Sequence, residues 1–203
     1  MHYEVTTPPT QTIHDWSTIS THLRLDETDD QAYVTGLQDV AIDFAQDSLS
    51  QSILTQSITA VYYVNDLLPA VRFPITLGAN YYGTMPLQMY QVGQVVSLPR
   101  GPVTAITSVT DAKGTAITAY SLERQGYQDV LRIVAAVSYP VTVIYTAGYA
   151  DSAHVPASIR QAILMHLGSL YENRESVSDK EKVVVPHGLQ DFYRLKASKS
   201  SVA

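Results

Sequence analysis

Apolar positions along this chain change their period twice. Between Val155 and Glu175, Ile159, Ile163, Leu167 and Leu170 fall at i, i+4, i+8 and i+11, with Leu164 and Tyr171 beside them. That stripe predicts an amphipathic helix of about five turns. Pro156 is expected at N1, where its missing N–H removes only an orphan donor. Arg174 falls in the last turn, where a cation suits the negative end of the helix dipole. A second helical period covers Asp29–Leu49, near the opposite end of the chain. Tyr33, Leu37, Val40 and Phe44 form its stripe, with Val34, Ala41 and Ala45 flanking them. Thr28-x-x-Gln31 ahead of it has the capping-box form. A shorter stripe of Trp16, Ile19 and Leu23 follows Asp15, a suitable N-cap. Each long helix needs an apolar partner, so the two chain ends are expected to meet. In that packing Ile159, Ile163, Leu167 and Leu170 rest on Leu37, Val40 and Phe44.

Between the helical stretches the pattern is different. Ser57–Val64, Gln94–Leu98, Val103–Thr110, Val130–Val134 and Val141–Tyr145 are rich in β-branched and aromatic residues, with turn residues between them. Asp111-Ala112-Lys113-Gly114 reads as a hairpin turn with Gly114 at positive φ. Residues 1–12, rich in Thr and Pro, read as an extended arm. Leu67–Gly93 holds three prolines with Tyr81, Tyr82 and Tyr90, and reads as a long loop or projecting hairpin of the functional or mobile kind. The fold class that follows is α+β. A helical domain is built from both chain ends, with two N-terminal helices and one long and one short C-terminal helix. A mainly antiparallel β module is inserted between them. The expected divisions are 1–50 for the N-terminal arm and helices, 51–150 for the β module with its long loop 66–93, and 151–203 for the C-terminal helix and a docking tail.

Composition sharpens this. Charged residues make up 16% of the 203, against about 25% in ordinary soluble domains, so much of the surface is expected to be buried against partners. The net charge of −6 is unevenly spread: residues 1–48 carry −8, while 49–149 and 150–203 carry +1 each. An acidic chain without a basic face is a poor candidate for sequence-specific DNA binding. From Ser52 to Thr110 the only charged residues are Asp66, Arg72 and Arg100, and ten of the 14 tyrosines lie between Tyr62 and Tyr149. Aromatic enrichment with charge depletion is what interface cores look like, although ordinary sheet packing gives the same composition. There is no cysteine, hence no disulfide framework and no thiolate site. No secretion signal and no eighteen-residue apolar run is seen, so a cytoplasmic protein that spans no membrane is expected.

Catalytic and metal chemistry finds little support. His2, His14, His22, His154, His166 and His187 are scattered, without H-x-x-x-H or H-E-x-x-H spacing. Asp26, Glu27, Asp29 and Asp30 lack the central glycine and the glutamate at position twelve of a calcium loop, and read as a solvated turn. Glu172 and Glu175 flank Arg174 as a local ion-pair cluster. Nucleophile-elbow, P-loop and dinucleotide fingerprints are absent. The expectation is no enzyme, no cofactor and no metal.

Three stretches resemble one family, the head–tail connector or adaptor proteins of long-tailed bacteriophages and gene transfer agents. The first is Thr21-His22-Leu23-Arg24-Leu25-Asp26 with its acidic turn and following helix. The second is Leu98-Pro99-Arg100-Gly101-Pro102-Val103, continuing through Ile106-Thr107-Ser108-Val109 and Asp111-Ala112-Lys113-Gly114-Thr115. The third is Tyr145-Thr146-Ala147-Gly148-Tyr149, leading to Val155-Pro156, Arg160, Ala162-Ile163 and Leu170-Tyr171-Glu172-Asn173-Arg174-Glu175. Val185-Pro186-His187-Gly188 and the short helix after it fit the family's ending, while Asn65–Gln91 is longer than the family's usual loop. The resemblance implies a non-catalytic component of the virion neck, assembled in the host cytoplasm. Such proteins form a ring, usually of twelve copies, beneath the portal and extend the DNA channel. The implied partners are other copies of the chain, the portal protein, a tail-side head-completion, stopper or tail terminator protein, and passing DNA held by no sequence-specific contact.

Two groups of residues become candidates in that setting. Twelve copies at −6 make a ring of about −72, and an acidic lumen would let a duplex slide rather than stick. Asp29, Asp30, Asp39, Asp43 and Asp47 are the candidate channel lining. In the tail, Leu189, Phe192 and Leu195 recur at threes beside Arg194 and Lys196, and are the candidate portal-docking residues. The rival reading is a β-rich sugar-binding or hydrolase module of a phage tail protein, with the tyrosines as ligand platform.

Overall fold

The computed structural model describes residues 1–66, 94–125, 128–135 and 137–173. Among these residues seven strands and three α-helices follow in the order β1 (His2–Thr7), α1 (Trp16–Leu23), α2 (Gln31–Leu49), β2 (Gln56–Tyr62), β3 (Gln94–Leu98), β4 (Val103–Thr110), β5 (Tyr120–Gln125), β6 (Gln128–Ile133), β7 (Val141–Ala147) and α3 (Ala157–Glu172). All strand pairing is antiparallel, in a four-stranded sheet ordered β1-β2-β7-β4 and a three-stranded sheet ordered β3-β6-β5. The fold is thus α+β, with helices contributed by both ends of the chain around the strands.

The strands predicted from β-branched runs form where expected. β2 and β7 bury every second residue, and their register sets Ile58 opposite Tyr145, Ala60 opposite Val143 and Tyr62 opposite Val141. These side chains meet Val96, Leu98, Leu131 and Ile133 of the smaller sheet in one core. The hydroxyls of the two buried tyrosines reach out of it: Tyr62 donates to the Ser97 carbonyl at 2.7 Å and Tyr145 donates to the Pro99 carbonyl at 2.5 Å. Burial pushes both phenols far above their ordinary range. The Asp111–Gly114 turn forms as predicted, with Gly114 at φ +77° and the Asp111 carboxylate accepting from the Lys113 and Thr115 amides. Those bonds hold the Asp111 carboxyl below its ordinary value.

Two strands lack the expected apolar signal. The N-terminal arm is extended, but it is also paired, as edge strand β1 along β2. β5 is mostly exposed and polar. It is held to β6 by its backbone ladder and by Glu123, which accepts from Arg132 Nε at 2.7 Å.

α1 starts as predicted, the Asp15 carboxylate accepting from the Thr18 amide at 3.1 Å. α3 buries Ile159, Ile163 and Leu167 as predicted, together with Ala162 and Leu164. Pro156 is its N-cap rather than N1, and its carbonyl accepts from the Ile159 and Arg160 amides. The capping box does not form: Asp30 is the N-cap of α2 and makes no side-chain cap bond.

The larger correction concerns α2. Its buried face is Val34, Gln38, Ala41, Ile42, Ala45, Gln46 and Leu49. Tyr33, Val40 and Phe44 of the predicted stripe are exposed, and only Leu37 turns partly inward. The physical reason is helix–helix distance. Ala41 and Ala45 face Ile159, Ala162 and Ile163 of α3 in one cluster with Ile13, Ile42, Leu49, Ile53 and Leu54, and small side chains let two helices approach closely. Two glutamines complete that face by capping backbone donors. Gln38 Oε1 accepts from the His14 amide at 3.0 Å, and Gln46 Oε1 accepts from the Ile53 amide at 3.4 Å.

Candidate functional site

The Leu98–Val103 segment lies where β1, the end of α2 and both sheets converge. Its backbone is unusual: Arg100 has φ +57° and the Gly101–Pro102 peptide is cis. Nearly every polar group there has a partner. Ser52 N donates to the Gly101 carbonyl at 2.9 Å and Ser52 Oγ to the Arg100 carbonyl at 2.9 Å, while Gly148 N donates to the Pro102 carbonyl at 2.9 Å. Gln56 Nε2 in turn donates to Ser52 Oγ at 2.7 Å. The Arg100 guanidinium bonds the Asp47 carboxylate, donates to Tyr3 Oη at 3.3 Å, and lies 5.7 Å from the Tyr3 ring centre.

Behind it the buried Asp129 carboxylate accepts from Arg124 Nε at 2.8 Å and Nη2 at 3.2 Å, and from the Val103 amide at 2.7 Å. This fork-to-fork pairing is the strong form of an ion pair. Two glycines allow the approach. A Cβ on Gly101 would stand 2.6 Å from Asp129 Oδ2, and one on Gly148, at φ +110°, would stand 2.2 Å from the Leu54 carbonyl oxygen. Two of the stretches singled out in the sequence, Leu98–Val103 and Tyr145–Tyr149, are therefore two sides of one joint.

A cleft of about 450 Å³ opens over the joint, lined among others by Tyr3, Arg100, Arg124, Asp129 and Tyr149. Its charged side chains are already bonded to one another or to Asp47, so they brace the joint. Among the described residues no three His, Asp or Glu side chains converge to hold a metal ion, and no helix is long and apolar enough to cross a membrane. Sequence reasoning missed the roles of Tyr3, Arg124 and Asp129. The available signal was Arg100, an arginine in a stretch nearly devoid of charge.

The candidate acidic residues separate into two groups. Asp29 is exposed at the turn before α2, and Asp30 is half-buried, accepting from the Tyr171 hydroxyl at 2.6 Å. Asp39, Asp43 and Asp47 form one exposed row along α2, at i, i+4 and i+8. The exposed Tyr33, Val40 and Phe44 run beside that row, with the Phe44 ring set edge-on to His166 at 4.7 Å. Burial holds the His166 imidazole below its ordinary value. Leu189, Phe192, Arg194, Leu195 and Lys196 lie outside the described residues, as do Arg174, Glu175 and the segment 67–93.

No family model and no curated protein sequence matches this chain. Solved structures do. A chain from the neck of an empty GTA particle computed with C6 symmetry shares the fold at TM-score 0.71 and 17% identity, covering 97% of this chain and 95% of that one. A chain from the virion of a native gene transfer agent particle matches at TM-score 0.66 and 18% identity, over 96% and 94% of the two chains. A third, from the neck of a native GTA particle computed with C12 symmetry, matches at TM-score 0.62 and 16% identity, over 97% and 94%. The likeness covers nearly all of each chain, so this chain shares the fold of those neck and virion chains.

Proposed function

We propose that this chain is a structural, non-enzymatic component of a phage-like virion neck. In this reading it is a head–tail connector whose copies close into a ring beneath the portal, extend the DNA channel and present a surface to the next tail-side protein. The observation that carries the reading is the end-to-end likeness to chains of gene transfer agent necks, one of them in a particle treated with C12 symmetry. The three sequence stretches quoted above support it independently, since two of them build the joint at the centre of the fold. On this proposal residues 1–50 and 151–203 form the body and 51–150 the inserted module. The exposed row Asp39, Asp43 and Asp47, with Asp29, supplies negative potential toward passing DNA, and Leu189, Phe192, Arg194, Leu195 and Lys196 anchor the tail on the portal.

The sugar-binding or hydrolase alternative would need an aromatic cleft with available polar groups. The cleft over the joint has Tyr3 and Tyr149, but its charged groups are engaged in internal pairs. Native mass spectrometry and negative-stain imaging test ring closure, with twelve copies expected from the symmetry of one similar neck. In particles, loss of the protein should leave DNA-filled heads without tails. Tailed, infectious or transducing particles formed without it would overturn the proposal.

A further inference from the structure

A second cleft, of about 650 Å³, opens between the turn that starts α1 and the first turns of α3. His14, Asp15 and Thr18 border it on one side, and Ala157, Arg160 and Gln161 on the other. The latter three stand at i, i+3 and i+4, the spacing of one helix face. Arg160 carries the charge of that face, and it differs from the other partly buried arginines. Arg100 bonds Asp47 and Arg132 bonds Glu123. Arg160 has no carboxylate partner among the described residues, and its covered Nε–H meets no acceptor. Buried donors in native proteins nearly always have partners, so this guanidinium is short of an acceptor.

Its neighbours in the cleft are committed elsewhere. The His14 amide donates to Gln38 Oε1 at 3.0 Å, and the ring Nε2–H donates to the Arg160 carbonyl at 2.9 Å. Burial lowers the His14 imidazole below its ordinary value and the Arg160 charge pushes it the same way, so ring and guanidinium stand close and the ring stays neutral. The Asp15 carboxylate accepts from the Thr18 amide at 3.1 Å and from the Thr18 hydroxyl. It leaves Arg160 unpaired, yet it sets one negative charge at the rim. A planar guanidinium fork matches a carboxylate, and the charge at the rim disfavours a second one on the ligand.

We propose that this cleft is a carboxylate-binding site in which the Nη groups of Arg160 hold the ligand and Asp15 selects a single negative charge over a dianion. The inference stands on the cleft and is independent of the neck reading. Two sources offer the same chemistry: a free small acid, or an Asp or Glu side chain of a second copy, whose residues 1–48 hold nine acids against Arg24 alone.

The test is an NMR titration of the full chain that follows the Arg160 Nε–H and the His14, Thr18 and Gln161 amides. Sodium acetate, with ionic strength held constant by chloride, should shift these resonances saturably, with a midpoint on the order of millimolar for so small a ligand. Phosphate dianion should bind severalfold more weakly. Arg160→Gln, with its fold checked by circular dichroism, should weaken acetate binding about tenfold, the effect of losing a charge-assisted pair. Asp15→Asn keeps a capping oxygen and should narrow the gap between acetate and phosphate; an unchanged ratio would overturn the selectivity. Native mass spectrometry then separates the sources. Association of copies that is lost both in Arg160→Gln and in acetate assigns the carboxylate to a second copy, and association unchanged in both assigns it to a free acid. No saturable shift, an equal shift with chloride alone, or an undiminished response in folded Arg160→Gln would each overturn the proposal. If Arg160→Gln does not fold, the titration of the unaltered chain decides by itself: shifts confined to the cleft support the site, and shifts spread over the surface overturn it.

Discussion

The joint around Leu98–Val103 and the outer face of α2 use the same side-chain types to opposite ends. In the joint, Tyr3, Arg100, Arg124 and Asp129 bond to one another or to backbone, and the glycines sit where a single methyl group would strike backbone or carboxylate. On α2, Tyr33, Asp39, Val40, Asp43 and Phe44 are exposed to solvent, and a Cβ on Gly36 in the middle of them would meet nothing within 4 Å. A buried polar group must find its partner inside the molecule or lose its desolvation cost, so the joint can only hold. An exposed apolar-and-acidic band carries no such demand. Asp47 links the two regions, its carboxylate on the α2 row and its partner Arg100 in the joint.

Substitutions at single positions can break this contrast, and the largest effect belongs to the joint. Gly148→Ala combines an L-residue at φ +110° with a Cβ 2.2 Å from the Leu54 carbonyl oxygen. It should cost upward of about 4 kcal/mol, or abolish folding, in denaturant unfolding. A cost below about 1 kcal/mol would show that the joint yields, and the rigid half of the contrast would fall.

Next comes the helix pair. Leu167 is fully buried in α3 with Ile19, Val34 and Leu164, and Leu167→Ala should cost about 2–5 kcal/mol. An unchanged melting temperature would separate the chain ends that this core joins.

Acid provides a smaller, graded perturbation. Burial holds His14 below its ordinary 6.5, even though its Nε2–H donates to the Arg160 carbonyl at 2.9 Å. Burial likewise lowers His166. The unfolded chain then binds protons more readily than the folded one, so stability is complete above 6.5 and falls as pH drops below it. The carboxylates Asp15, Asp66, Asp111, Glu123 and Asp151 are also held low, by hydrogen bonds or ion pairs. They add a loss of the same sign at still lower pH. Melting temperature should decline from pH 7.5 to 5, and His14→Gln should flatten the upper part of that decline. A melt rising toward pH 5.5 would contradict the sign.

The smallest effect, of opposite sign, tests the other half of the contrast. Gly36→Ala on α2 should stabilise the protein by about 0.5–1 kcal/mol, because the glycine lies in a helix interior with open space beside it. Destabilisation by a similar amount would mean that a Cβ at this position is not accommodated.

The sequence by itself determined where the three helices and most of the strands form. Those properties are local: alternation over Gln56–Tyr62 and Val141–Ala147, a 3.6-residue period over Ala157–Glu172, and an Asp111–Gly114 turn are written into neighbouring residues. The resemblance stretches were legible for the same reason, since each is contiguous. The tertiary structure alone decided which face of α2 is buried. Summed apolarity favours Tyr33, Val40 and Phe44, but close approach to α3 selects the smaller Ala41 and Ala45, and glutamines gain entry by capping distant backbone donors. It also decided that the N-terminal arm pairs with β2 and that the Asp129 carboxylate, paired with Arg124, accepts from the Val103 amide. Both depend on partners tens of residues away, and no local period records a contact across that distance.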